Sequence, residues 1–402
     1  MSKRNLILAL ILYVLSATIS FTYLYAQSSS EKNTATISTG TDENGQNSGE
    51  QTALSALLQI KPEEPRDQEC PLNGKLFTQT ERTSWEKRRP SAVMIENSPD
   101  ARPQSGLSNA DIVFEIVAEG GVTRFMGIFY CGAQAYDTLL APIRSARTYF
   151  IDYASGFNRP LYTHIGGANL AGPADALGQL GQYGWQLEND INGLFTVAYP
   201  YFVRNENRLD KPVDTEHTVE TTTEYLWQIG VKREWTNLSP EIKRGKTVIP
   251  AKEWKDGYTP WTFEAEKGKT GTTTKISYDF WSGYSDYAVE WNYDVASDQY
   301  KRNMAGAPHI DHNNQKQLQA SNVIVVLAAE KGPIDEKKHM LYTTTGTGDA
   351  LLFMHGDVVK ARWIKKERES ELRFVDAKGK DIPLVRGLTW ISVLDKNDEV
   401  QY

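Results

Sequence analysis

Four arginines and a glycine pair are the residues of this 402-residue chain best suited to holding an anion. Pro142-Ile143-Arg144-Ser145-Ala146-Arg147 leads into Ala146–Ser155, which reads as a helix with Ser145 as its N-cap. Arg144 and Arg147, three residues apart beside a helix N-terminus, set guanidinium forks next to free backbone amides, an arrangement that receives a carboxylate or phosphate. Arg124 follows a Gly120-Gly121 hairpin. The stretch Tyr162-Thr163-His164-Ile165-Gly166-Gly167-Ala168-Asn169 reads as a strand passing through a glycine turn into a helix, where a ligand can approach the backbone. Arg102 lies in Ala101–Asp111, where Pro103 and Gly106 mark a turn and Ser108 with Asp111 fits a capping pair. The expected ligand-binding set is Arg102, Arg124, Arg144, Arg147, Gly166 and Gly167.

The candidates for catalysis are Glu119, Ser145 and His164. With a two-residue loop at Gly120-Gly121, Glu119 faces Val122 and Val117 faces Arg124, so Glu115, Glu119 and Arg124 share a sheet face. Such a cluster either pairs its charges or keeps one carboxyl for acid–base work. Ser145 lacks a Gly-x-Ser-x-Gly elbow around it. His164 is a general base or a hydrogen-bonded core histidine. His309, Asp311 and His312 lie within four residues but have no second ligand cluster at a metal-site spacing. The expectation there is a loop in which Asp311 caps backbone or pairs with Arg302. No metal and no cofactor is expected.

The elements that must position these residues are mixed. The fold class expected is α+β, a mixed α/β N-terminal domain followed by a mostly β C-terminal domain, barrel or sandwich. Strands are expected at Ser91–Glu96, Ile112–Ala118, Val122–Cys131 and Leu161–Ile165, with helices at Ala146–Ser155, Leu170–Leu180 and Thr222–Gly230. β-branched and aromatic runs between turn signals continue from Thr273–Phe280 to Trp390–Leu394, with one helical turn near Gln315–Ala320. The domain boundaries are 1–26 for an N-terminal membrane anchor or signal segment, 27–69 for a disordered tether, 70–235, a linker or insertion at 236–269, and 270–402.

Lys3 and Arg4 precede an uncharged run, Leu6–Ala26, which as a helix is roughly 31 Å long and spans a bilayer core. The basic residues before it place the remainder on the extracytoplasmic side of the cytoplasmic membrane, single-pass. The segment 27–69 has eight acidic and three basic residues, leaving a net −4 for 70–402 of the chain's −7. An acidic folded part excludes a general nucleic-acid binder. Cys70 and Cys131, the only cysteines, are either bridged in an oxidising compartment, buried thiols, or part of a metal pair.

Ala101–Leu107, Glu119–Phe125, Pro142–Arg147 and His164–Gly167, in that order, resemble the YerB-like family of bacterial envelope proteins. The resemblance continues through Tyr300-Lys301-Arg302, His309-Ile310-Asp311, Asn322 and Gly387–Ile391. It implies export and a two-domain architecture, and brings no established reaction. Its lipoprotein form is not matched, because no cysteine follows the apolar run before Cys70. Two functional readings stand: a binding protein whose Arg-rich cleft holds an anionic cell-wall ligand or envelope protein, and a cell-wall-directed hydrolase or transferase using a carboxylate or His164.

Overall fold

A computed structural model describes residues 57–194, 199–264 and 271–402. The anchor expected at 1–26, and the tether as far as residue 56, lie outside the described residues. Structure is present before Cys70: Leu57 N–H donates to Ala135 O at 2.9 Å, and Arg66–Glu69 pairs with Leu76–Thr78 in a two-stranded ribbon.

Ten strands from both halves of the chain form one sheet. In chain order the first five are β1 (Ser91–Glu96), β2 (Ile112–Glu119), β3 (Val122–Phe129), β4 (Leu161–His164) and β5 (Asp190–Asn192). A smaller antiparallel sheet intervenes, built on β6 (Lys275–Tyr278), β7 (Val289–Asp294) and β8 (Gln299–Met304). The large sheet resumes with β9 (Asn322–Ala328), β10 (Gly346–Met354), β11 (Asp357–Lys365), β12 (Arg373–Val375) and β13 (Thr389–Asp395). Its order is β12-β11-β10-β9-β13-β2-β3-β1-β4-β5.

The seam between halves is β13 against β2, parallel from Thr389↔Ile112 to Val393↔Ile116. The C-terminal half is strand-rich as expected, but five of its strands extend the sheet begun by the N-terminal half. Central strands buried on both faces explain this: Asn322-Val-Ile-Val-Val-Leu-Ala and Thr389–Leu394 are near-continuous apolar runs that need cover on either side. β7 and β8 alternate buried and half-buried positions, the mark of a sheet with one face on the core.

Helix is sparse: α1 (Gln79–Trp85), α2 (Thr148–Ser155), α3 (Ala176–Gln182) and α4 (Thr223–Lys232). Strand dominates the described chain, so the α/β character expected of the N-terminal half is reduced to a few short helices over a sheet. The helix expected at Leu170–Leu180 starts six residues later, where Asp175 caps it by accepting from Gly178 N–H at 2.8 Å. The helical turn expected near Gln315–Ala320 is replaced by two short bridging strands, Lys316–Gln317 and Gln319–Ala320.

The Cys70–Cys131 bridge is formed, with Cα atoms 6.0 Å apart. It ties the start of the fold to the end of β3. Beside it Asp111 is fully buried and accepts from the backbone N–H groups of Tyr130, Cys131 and Gly132 at 2.7–3.0 Å. Burial pushes its carboxyl up to about 6, against the pull of those amides. Ser108 therefore does not share a cap with Asp111. Its hydroxyl donates to Asp311 instead, at 2.7 Å.

Candidate functional site

Strands β1, β2, β4, β5, β9 and β13 run in the same direction, and the C-terminal ends of such strands are where an open sheet leaves a crevice. Glu96, Glu119, His164 and Asn192 are the last residues of β1, β2, β4 and β5. Most of the residues singled out above gather at this edge.

The Gly120-Gly121 loop is a two-residue turn with φ of 52° and 85°, left-handed at both positions, as a tight hairpin requires. A side chain at Gly121 would also collide with the Tyr284 ring, 2.6 Å from an added Cβ. Glu119 opposes Val122 as expected, but Thr123, not Arg124, opposes Val117, because a bulge at Ala118 shifts the register. One inserted residue reverses which face each neighbour occupies. Glu115 consequently lies on the face of Thr123 and Phe125, while Glu119 shares the opposite face with Arg124. The shared face expected for both carboxylates does not exist.

On its face Glu119 is held by two arginines. Arg124 Nη2 donates to its Oε1 at 2.7 Å, and Arg147 Nε to its Oε2 at 3.1 Å, with Arg147 Nη2 on the same oxygen. Arg124 also donates to Ser145 O at 2.9 Å, and Arg147 to Ala146 O at 2.7 Å. Both arginine side chains are buried, whereas Glu119 keeps 28% of its side-chain exposure. Burial would raise the Glu119 carboxyl, but the Arg124 and Arg147 charges outweigh it and hold it down at about 2.

Ser145 is not the helix N-cap. The cap is Arg147, at φ −136° and ψ 150°, without a side-chain capping bond. The reason is pairing: Ala146 bridges Gly167 and donates to Gly166 O at 3.0 Å, which holds 145–147 extended. The Gly166-Gly167 turn thus lies against the arginine-bearing segment. Gly166 has φ of 60°, and a Cβ on Gly167 would meet Leu177 at 2.8 Å.

Arg144 belongs to a neighbouring cluster. Its Nε lies 3.3 Å from Glu96 Oε1 and its Nη2 3.3 Å from Glu216 Oε1, while His217 Nδ1 takes the other Glu96 oxygen at 2.8 Å. Arg102 turns the other way. It donates to the side-chain and backbone oxygens of Asn97 at 3.1 and 3.0 Å, and lies over the Tyr287 ring. His164 is fully buried with both ring nitrogens facing acceptors at 2.6 Å, Gly166 O and Asp190 Oδ1. Both ring nitrogens are thus engaged by protein groups.

A second polar cluster, which the motifs announced only in part, lies on the face of Glu115. Arg302 Nη2 donates to Glu115 Oε2 at 2.7 Å, and both side chains have no exposure. Thr123 and Trp390 donate to the same carboxylate at 3.1 and 3.2 Å. Burial raises the Glu115 carboxyl, and the Arg302 charge pulls it back. Arg302 Nε donates to His309 Nδ1 at 3.0 Å, and His309 Nε2 meets Gln104 Oε1 at 2.8 Å. Burial and the Arg302 and Arg102 charges keep His309 neutral, so it accepts at one nitrogen and donates at the other. The sequence signal for Arg302 was its place in Tyr300-Lys301-Arg302-Asn303-Met304, where alternation puts it on the core face. A charge there demands a partner.

Asp311 caps backbone rather than pairing with Arg302, accepting from Gly106 and Ser108 N–H at 3.0 and 2.8 Å. His309 and Asp311 are thus committed to separate partners. Among the described residues, the side chains that converge as metal ligands could are Cys70, Asp111 and Cys131. Their sulfurs are spent on the disulfide and the carboxylate on amides, so the group does not fit a metal.

Residues 77–236 match the N-terminal domain, and residues 276–391 the C-terminal domain, of the family described as "Protein of unknown function (DUF3048)". The "Putative lipoprotein YerB" of Bacillus subtilis (strain 168) is 30% identical over 346 residues, 84% of this chain and 89% of that protein. The crystal structure of YerB from Bacillus subtilis superposes with a TM-score of 0.64 at 28% identity, covering 83% of this chain and all of that one. With both family domains matched in order, and one sheet running through them, the chain belongs to the DUF3048 family, alongside YerB.

Proposed function

We propose that this protein is a membrane-tethered, extracytoplasmic binding protein whose sheet edge accepts a carboxylate or phosphate of a wall polymer or protein partner in place of Glu119. The observation that carries this reading is the Glu119 carboxylate, part-exposed and held by two buried guanidiniums. A site built to hold one carboxylate at the surface can exchange it for another. The tether is the uncharged Leu6–Ala26 run behind Lys3 and Arg4. The first cysteine after that run is Cys70, so this reading places the anchor in the run itself. The hydrolase or transferase reading has no observation in its favour, because Glu119 is ion-paired and His164 is engaged at both nitrogens.

The test is titration of the full-length protein in detergent with soluble poly(glycerol phosphate). Glu119→Gln removes the internal competitor and tightens binding, whereas Arg147→Ala abolishes it while costing about 1–2 kcal/mol of stability, since Glu119 keeps Arg124 and partial hydration. Unchanged binding in both variants overturns the site. Protease added to intact spheroplasts digests the folded part; protection of that part overturns the topology.

A further inference from the structure

The segment between the two family domains, expected as a linker or insertion at 236–269, is in its described part a strap that forms one wall of a cavity. Leu238 bridges Glu253, Ser239 N–H donates to Lys252 O at 2.8 Å, and Trp254 N–H to Asn237 O at 2.8 Å. Two side chains fasten it. Arg89 Nε and Nη2 donate to Thr236 O and Leu238 O, each at 2.6 Å, and Asn158 Nδ2 donates to Trp254 O at 2.6 Å. Against the strap is a cavity of about 350 Å³, lined by Trp185, Trp254, Pro240 and Pro250 together with Arg89, Arg159 and Lys252.

Arg89 is 2% exposed, and among the described residues no carboxylate pairs with it. Its partners are three carbonyls, the third being Arg159 O at 3.1 Å. Carbonyls satisfy N–H groups without neutralising the charge, and three bonds leave two of a guanidinium's five donors over. A buried charge without a counter-charge is costly, and in folded proteins it is paired or it meets a ligand. Burial and the neighbouring Arg159 charge lower the Arg89 guanidinium to about 10, so it remains a cation at neutral pH. Arg159 adds a second unusual feature: it and Asn158 are consecutive non-glycine residues in the left-handed region, at φ of 59° and 51°. Strain of this kind persists where the surrounding structure imposes it, and it gathers at ligand sites. The acids around the cavity do not cancel Arg89. Glu188 is paired with Arg159 and Glu369 with Arg368, while Glu253 and Asp256 are exposed on the strap.

We propose that this cavity is an anion-binding site, separate from the Glu119 ion pairs, for one phosphate or carboxylate group carried on a small molecule with an apolar face. Arg89 is the buried counter-charge, Lys252 and Arg159 (the latter shared with Glu188) flank the anion, and the tryptophan and proline walls receive the apolar face. The volume suits a ligand of one or two rings.

The experiment is calorimetric titration of the full-length protein in detergent at low salt with glycerol phosphate and with glucuronate, against neutral glycerol and glucose. Binding of at least one anion, without binding of its neutral counterpart, is the expected result, and which anion binds distinguishes phosphate from carboxylate. Lys252→Gln and Arg159→Gln, both at exposed positions, each weaken it roughly tenfold, the loss of one charged contact. Heat from neither anion overturns the proposal. So does glucose binding as tightly as glucuronate, or full affinity in Lys252→Gln protein together with loss in Arg147→Ala protein, which would place the anion at Glu119.

Discussion

Arg302→Met removes the charge that holds Glu115 in the core while keeping a side chain of similar length between Trp291 and Trp390, whose rings lie 5.1 and 4.6 Å from the guanidinium carbon. Glu115 then retains only neutral donors, chiefly Thr123 and Trp390. Breaking one side of a buried ion pair costs about 3–5 kcal/mol at neutral pH, because the surviving charge stays desolvated. That cost depends on pH with a definite sign. A carboxyl whose folded pKa is raised binds more protons in the folded than in the unfolded state, so its contribution to stability falls as pH rises. Burial already raises Glu115, and loss of Arg302 raises it further. The variant's deficit is therefore smallest in acid. It grows with pH by up to about 1.4 kcal/mol per unit until the variant's own folded pKa is passed. Urea denaturation followed by tryptophan fluorescence from pH 5 to 8 measures it. Glu115→Gln/Arg302→Met, with both charges gone, recovers most of the loss. A cost below about 1 kcal/mol, or a deficit flat across that range, refutes the account of the joint between the two halves.

Reduction of the Cys70–Cys131 bridge, 61 residues apart in sequence, frees a loop whose closure is worth about 4 kcal/mol by chain entropy. Comparing urea midpoints with and without reductant checks this. His355 sits between Asp298 and Glu264, both at 2.9 Å; burial lowers its pKa but the two carboxylates more than compensate and raise it. Its contribution is complete below the ordinary histidine pKa and is lost as pH rises through the higher folded value. His355→Gln should flatten the stability profile on the alkaline side, and an unaltered profile counts against the pairing. Asp111→Asn replaces an acceptor with an amide that cannot serve Tyr130, Cys131 and Gly132 together, and should cost roughly 2–3 kcal/mol in the same denaturation assay.

What sequence could reveal here followed the range of the signal. Ser91–Glu96 emerges with the expected bounds because an apolar run between Pro90 and the polar Asn97-Ser98 carries its own ends. α1 carried a local signal too, a Thr78/Glu81 capping box, but in a segment too polar to read as periodic. The single sheet was out of reach of such reasoning. β13 is nearly the last element of the chain, and nothing in Trp390-Ile391-Ser392-Val393-Leu394 says that it lies between β2 and β9. Its apolar run announces only that both faces are covered.

The candidate site shows where local reasoning breaks. Glu115 and Glu119 are four residues apart, and strict alternation assigns them to one face. Alternation counts residues, while the ladder counts pairs, and Ala118 is a residue without a partner between Val117↔Thr123 and Glu119↔Val122. That single position sends Glu115 inward to Arg302, where it joins the two halves of the chain. It turns Glu119 to the opposite face and to Arg124 and Arg147, where its side chain keeps contact with water. Two chemically identical side chains become a structural ion pair and the centre of the candidate binding site because of one bulge. The composition of the strand is the same with or without it, so the distinction was visible only in the register.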